Sequence, residues 1–238
     1  MPNDTFEFKK FIIKQDRCAM KVGTDAVLLG SWVTVDQCKH VLDIGTGTGL
    51  IALMIAQKIS ASIIALEIDE ASCKQAKENI EESSYINQII VLNQSFQDYW
   101  KKHADKFDLI VTNPPYFIDS LKSNDSNRST ARHADSLPFS DLIEGVKHIL
   151  ADNGRFCLIL PKKEAELFRK LAEQKGFYLT KLLRVRSSID KDEDKRHIMQ
   201  YELKNAPYSE EILSIRTSNP QEYTAEYKEL TKDYYLNF

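Results

Sequence analysis

From residue 40 onward, short apolar runs alternate with segments of helical periodicity. The runs are HVLDIG (40–45), ASIIALEI (61–68), QIIVLN (88–93), FDLIVTN (107–113) and RFCLILP (155–161). They are β-branched and apolar on both faces, the pattern of strands in a parallel sheet covered by helices on both sides. Between them, 70–82 follows Asp69, a side chain suited to cap a helix, and sets Ala76 and Ile80 on one face. Residues 139–150 place Phe139, Leu142, Ile143, Val146, Ile149 and Leu150 on one helical stripe. Asp152-Asn153-Gly154 is expected to turn the chain into the next strand. Residues 162–175 read as another helix, closed by Gly176. This alternation predicts an α/β doubly wound sheet with right-handed crossovers.

After Gly176 the pattern changes. FYLTKLLRVRS (177–187) and HIMQYEL (197–203) flank a charged loop too short for a helix, so they are expected to pair as an antiparallel hairpin. The last segment reads as a strand, a turn at Asn219-Pro220 and a short helix. Residues 1–40 are more aromatic and basic than a disordered tail. The expected organisation is one domain: an arm over 1–40, a core over 41–205 and an extension over 206–238.

Composition narrows the class. The chain has 238 residues, 42% hydrophobic and 28% charged, within the usual range for a folded soluble protein. Its formal charge of −3 excludes a globally basic nucleic-acid protein but not a local basic face. That excess of acid lies in residues 205–238; the rest of the chain is balanced. Cys18, Cys38, Cys73 and Cys157 form no CxxC pair, so free thiols in a reducing compartment and no metal site are expected. The polar start MPNDTFEFKK is not a signal peptide, and no apolar run nears the ~20 residues of a membrane helix. A cytoplasmic protein with no membrane partner is expected, with a monomer as the working unit.

Three of only eight glycines fall within five residues, Gly45, Gly47 and Gly49, between a strand and a helix. Such a loop lets the backbone approach a ligand, and the following helix offers unpaired N–H groups. The spacing is G-x-G-x-G, not the G-x-G-x-x-G of a dinucleotide site. Asp43 just before it would repel pyrophosphate and suit a ligand carrying an amino group. Glu67 lies 18 residues beyond Gly49, where α/β nucleotide folds put the acid that accepts hydrogen bonds from ribose hydroxyls.

The strand FDLIVT delivers Asn113-Pro114-Pro115-Tyr116 to the carboxyl edge of the sheet. The prolines stiffen the loop and leave its carbonyls free to accept. Asn113 and the Pro114 carbonyl offer two acceptors, and Tyr116 a flat face. That set suits a planar substrate bearing an NH2 group, such as adenine, cytosine or a carboxamide.

DIGTGTG, LEID and NPPY together resemble the class I S-adenosylmethionine-dependent methyltransferases that modify amino groups. The flanks FKKFIIKQDRCAMKVGTDAVLLGSW and EYTAEYKELTKDYYLNF carry the likeness further, to the bacterial tRNA(Val) (adenine-N6)-methyltransferase family. The resemblance implies a Rossmann-like, seven-stranded, mostly parallel sheet with an antiparallel last strand. It implies S-adenosyl-L-methionine as cofactor and N6 of an adenosine beside the anticodon as target. Gly45, Gly47, Gly49 and Asp43 would lie under the methionine part and Glu67 would hold the ribose. Lys21, Gly23 and Thr24 in KVGTD would act as a lid, and Asn113, Pro114 and Tyr116 as the catalytic loop. Where the family usually has an Asp beside the cofactor's adenine, this chain has Ser95, with Phe96 next to it to pack on the ring.

An RNA substrate needs positive charge near the pocket. Lys10, Lys14 and Arg17 in the arm, and Arg128 and Arg132 after NPPY, are the expected contacts. Two rivals remain. One is N5-glutamine methylation of a release factor, whose enzymes carry a larger N-terminal domain than the roughly 40 residues here. The other is a non-catalytic cofactor-binding protein, which would have no use for Asn113 on a double-proline loop.

Overall fold

The computed structural model describes residues 4–18, 20–114 and 137–238. Strands β1 (Thr5–Glu7) and β2 (Ile12–Lys14) form a small antiparallel hairpin, followed by helix α1 (Thr24–Trp32). The core then alternates as expected: β3 (His40–Ile44), α2 (Leu50–Lys58), β4 (Ser62–Glu67), α3 (Glu70–Glu81) and β5 (Ile89–Asn93). It continues with α4 (Phe96–Lys102), β6 (Phe107–Thr112), α5 (Phe139–Ile149), β7 (Leu150–Pro161) and α6 (Lys162–Gln174). The chain ends in β8 (Tyr178–Ser188), β9 (Asp194–Glu202), β10 (Ser209–Arg216) and α7 (Ala225–Thr231).

The large sheet has the order β10-β8-β9-β7-β6-β3-β4-β5. Strands β3 to β7 are mutually parallel, and β9 runs antiparallel to both β7 and β8. The hairpin of β8 and β9 and the antiparallel seventh strand of the core are therefore as expected. The strand count is not: β10 adds an eighth strand, parallel to β8 from Ser209 beside Lys181 to Arg216 beside Ser188.

Alternation within each strand feeds two apolar layers. Val41, Leu109, Val111, Cys157 and Ile159 face α1, α2 and α3. Leu42, Ile110, Phe156, Leu158 and Leu160 face α4, α5 and α6. Helix α3 starts as its sequence dictates, with the Asp69 side chain accepting from the Ser72 amide. Gly176 ends α6 at φ +84°, a conformation that favours glycine.

Asp152-Asn153-Gly154 is not the expected turn between elements. Leu150 already pairs with Phe107, and the next pair is Arg155 with Leu109, so residues 151–154 bulge out of one continuous strand. A Cβ on Gly154 would sit 2.7 Å from the Phe107 carbonyl oxygen, which is why glycine stands there.

Strand order reverses around β3, between β4 and β6. Open α/β sheets bind ligands at the carboxyl ends of the strands at such a reversal. The glycine loop follows β3, Glu67 ends β4 and Asn113 follows β6, so all three reach that crevice.

Candidate active site

The glycine loop adopts left-handed backbone at φ +70° for Gly45, +57° for Gly47 and +84° for Gly49. L side chains rarely tolerate these angles. Among the described residues, and apart from its own chain neighbours, no atom lies within 4 Å of an ideal Cβ at Gly45 or Gly47, so this side of the loop is open. Gly49 lies against Ala76 and Ile80 of α3. The Gly45 and Thr46 amides both donate to the Leu66 carbonyl at 2.9 Å, tying the loop to β4.

Two acids frame this loop. Glu67 accepts the Gly47 amide at 2.8 Å through Oε2 and the Asp69 amide at 3.0 Å through Oε1. Asp43 is fully buried beneath the loop and accepts the Thr46 hydroxyl at 2.6 Å. Burial pushes the Asp43 carboxyl up to about 7, against the opposing pull of the Thr46 hydroxyl and the Ala52 amide. Asp43 therefore shapes the loop through Thr46 and lines neither cavity.

Two cavities, of about 460 and 340 Å³, share Met20, Gly45, Gly47 and Asn113 in their walls. Their sizes suit a small organic ligand. The larger runs past Glu67, Ile68, Phe96 and Pro114. The smaller is bounded by Lys21, Gly23 and Thr24, so the arm does stand over the glycine loop. Asn113 reaches both cavities because Thr112, buried, donates its hydroxyl to the Ile44 carbonyl at 2.8 Å and clamps the end of β6 to the end of β3.

Ser95 occupies the position expected beside the adenine, and its hydroxyl caps α4. It accepts the Asp98 amide at 3.0 Å and donates to the Asp98 carboxylate at 2.9 Å. Phe96 is buried between α4 and α5 yet still forms part of the larger cavity's wall. Sequence reasoning missed Asn93, which donates to the Glu67 and Ile68 carbonyls at 2.9 and 3.1 Å and fixes the β4 end. It also missed Met20, half-exposed between the cavities.

Lys14 pairs with Glu78 at 2.8 Å and with Glu82 at 2.5 Å, and Arg17 pairs with Glu78. These charges fasten the arm to α3. Lys10 is exposed. Tyr116, Arg128 and Arg132 lie outside the described residues.

Chemically, the crevice offers the start of α2 for a carboxylate and the Glu67 carboxylate for hydroxyls. Ile68, Phe96 and Met20 supply apolar walls for a planar ring. Glu67 and Asp69 make its field negative, which favours a cationic ligand over a pyrophosphate. S-adenosyl-L-methionine, a sulfonium with an amino acid, a ribose and an adenine, fits this donor set and the open space beside Gly45 and Gly47.

The methyltransferase small domain family matches residues 18–173. A tRNA1(Val) (adenine(37)-N6)-methyltransferase of Bacteroides thetaiotaomicron is 45% identical over 100% of this chain and 99% of its own length. That of Trichodesmium erythraeum is 42% identical over 100% of both chains. Among solved structures, a predicted O-methyltransferase from Agrobacterium tumefaciens matches with a TM-score of 0.71 at 17% identity, covering 88% of this chain and 96% of that one. P. horikoshii TYW2 in complex with MeSAdo matches with a TM-score of 0.56 at 16% identity, covering 84% and 71%. These two likenesses speak to the fold. The full-length relatives speak to the family: this chain belongs to the S-adenosylmethionine-dependent methyltransferases of the small-domain family, among the tRNA1(Val) (adenine(37)-N6)-methyltransferases.

Proposed function

We propose that this chain methylates N6 of adenosine 37 in tRNA1(Val), using S-adenosyl-L-methionine. The observation that supports it is Asn113, which borders both the Glu67 cavity and the arm-covered cavity on a stiff proline loop. An adenine amino nitrogen is a weak nucleophile because its lone pair is delocalised into the ring. The Asn113 side-chain oxygen and the Pro114 carbonyl would each accept one of its N–H bonds, favouring a pyramidal nitrogen with its lone pair aimed at the cofactor. When bound, the cofactor supplies a methyl group activated by the sulfonium charge. The amino nitrogen so held would take that methyl group, and its surplus proton would then pass to water. Orientation of this kind is worth about 7 kcal/mol or more, so no strong base is required. Tyr116 would stack the target base extracted from the anticodon loop.

Asn113→Ala is expected to lower kcat by about 100-fold or more while the cofactor Kd changes little. Near-normal turnover with intact cofactor binding would overturn the assignment. Incubation with labelled cofactor and total tRNA, DNA or release factor, followed by mapping of the labelled nucleotide, tests the substrate. Since Lys14 and Arg17 have acidic partners, RNA contact rests on Lys10, Arg128 and Arg132. Reversing the charge of Arg128 and Arg132 together should weaken tRNA binding and flatten its salt dependence. A tRNA substrate puts the work in the cytoplasm.

A further inference from the structure

Helix α3 and its C-cap carry a polar stripe, Gln75, Glu78, Asn79 and Glu82, spaced i, i+3, i+4, i+7. A surface helix would turn such a stripe to water. Here Gln75 and Asn79 are 0% and 1% exposed. Their partners belong to the arm. Gln75 accepts the Arg17 amide at 3.1 Å. Asn79 accepts the Lys14 amide at 2.9 Å and donates to the Lys14 carbonyl at 2.9 Å. The same Asn79 amide group donates to the Thr48 carbonyl, inside the glycine loop, at 2.8 Å. One buried side chain thus joins β2 of the arm to the loop expected to hold the cofactor. Gly49, the next loop residue, rests on the same helix at Ala76 and Ile80.

We propose that Asn79 is a positioning residue that couples the arm to the cofactor site. Asn79 touches neither cavity. It acts through Thr48 on one side and through Lys14 on the other, where β2 leads into the segment that contributes Cys18 and Met20 to the larger cavity and Met20 to Ala26 to the smaller. Both N–H bonds of the buried amide and its oxygen are engaged by these three backbone groups, so no apolar residue replaces it without orphaning them. The ion pairs of Glu78 and Glu82 reinforce the arm contact from the solvent side. Cofactor affinity therefore depends on the arm being seated, and seating of the arm on the cofactor loop being ordered.

This inference rests on the site being a cofactor site, so its test measures binding rather than RNA methylation. S-adenosylhomocysteine is titrated calorimetrically into wild type, Asn79→Ala and Glu78→Ala. In parallel, trypsin cleavage after Lys14, Arg17 and Lys21 is timed with and without that ligand. Asn79→Ala is expected to weaken binding at least 10-fold and to speed cleavage in the arm, with saturating ligand restoring protection. Turnover at saturating cofactor should stay within about 3-fold of wild type, a KM-against-kcat split that simple loss of folded protein does not give. Glu78→Ala, which leaves Asn79 in place, should give a smaller effect of the same sign and serves alone if Asn79→Ala does not fold. Unchanged affinity with a freed arm would overturn the coupling, as would cleavage that the ligand does not slow. Failure of the wild type to bind would instead sink the proposed function.

Discussion

Glu67 accepts the backbone amide of Gly47 at 2.8 Å, so the acid ending β4 and the loop following β3 form one unit. The carboxylate has two duties. It presets the glycine loop, and it stands in the larger cavity where ribose hydroxyls would meet it. Glu67→Ala removes the acceptor for the Gly47 and Asp69 amides, a loss of about 1–3 kcal/mol in stability. Its effect on cofactor binding should be larger, about 100-fold, because pre-organisation and a ligand contact go together. Glu67→Gln keeps one oxygen acceptor and should fall between. Thermal melts and cofactor titration on the three proteins check the ordering.

Asp43 predicts a pH dependence. Its carboxyl is raised from 3.8 to about 7 by burial. In the unfolded chain it ionises near its ordinary value. Between roughly pH 4 and 7 the native state holds a proton that the unfolded state has lost, so stability falls as pH rises through that window. The full penalty is of order 4 kcal/mol and is present above pH 7. Asp43→Asn keeps an acceptor for the Thr46 hydroxyl and has no charge to bury. It should be more stable than wild type at pH 8, by about 1–4 kcal/mol, with the two curves converging toward pH 4. Denaturant unfolding at several pH values measures this; parallel curves would contradict it.

Gly145 shows how a distant glycine reaches the site. An added Cβ would lie 2.5 Å from Trp100 Cδ1 and 2.6 Å from Phe96 Cε1, where α5 crosses α4. Gly145→Ala should therefore destabilise by about 1–3 kcal/mol, despite the better helix propensity of alanine. Because Phe96 also walls the larger cavity, cofactor affinity should fall with it. Unaltered affinity would mean that α5 gives way instead of Phe96.

These residues also mark what a sequence can carry. Strands β3 to β7, the Asp69 cap and the glycine loop were legible because each is dictated by neighbours in the chain: period, capping chemistry, tight turning. The β8–β9 hairpin was legible because its loop is too short for anything else. The placement of β10 was not, since nothing in SEEILSIR says which edge it joins or in which direction. The partners of Lys14 and Arg17 were not legible either, because sequence displays the sign of a charge but not its partner, and Glu78 and Glu82 lie more than 60 residues away. Asn79 gave no signal at all. A polar residue in a helix looks solvated until another segment is laid over it.

Asp194 supplies the last prediction, opposite in sign to Asp43. It opens β9 with its side chain 3% exposed, 2.7 Å from Arg184 Nε, 3.2 Å from Arg186 Nε and 3.4 Å from His197 Nε2. Burial opposes its charge, but hydrogen bonds from Arg184, Arg186 and His197 outweigh that and hold the carboxyl below the usual range. A depressed carboxyl stabilises the fold at pH values above its unfolded pKa, and that contribution is lost as pH falls through the folded one. Asp194→Asn leaves two guanidinium groups short of a partner. Arg184 keeps Glu210 and Arg186 keeps Asp192, both more exposed acids, so the loss should be near the lower end for a broken buried pair, about 3 kcal/mol. Asp194 lines neither cavity and its partners, Arg184, Arg186 and His197, line neither, so cofactor affinity should hold within about 2-fold. The stability difference from wild type should shrink below pH 4, whereas that of Asp43→Asn should grow from pH 4 to 7. Measuring both variants over the same pH series separates a buried acid that the fold wants neutral from one that it wants charged.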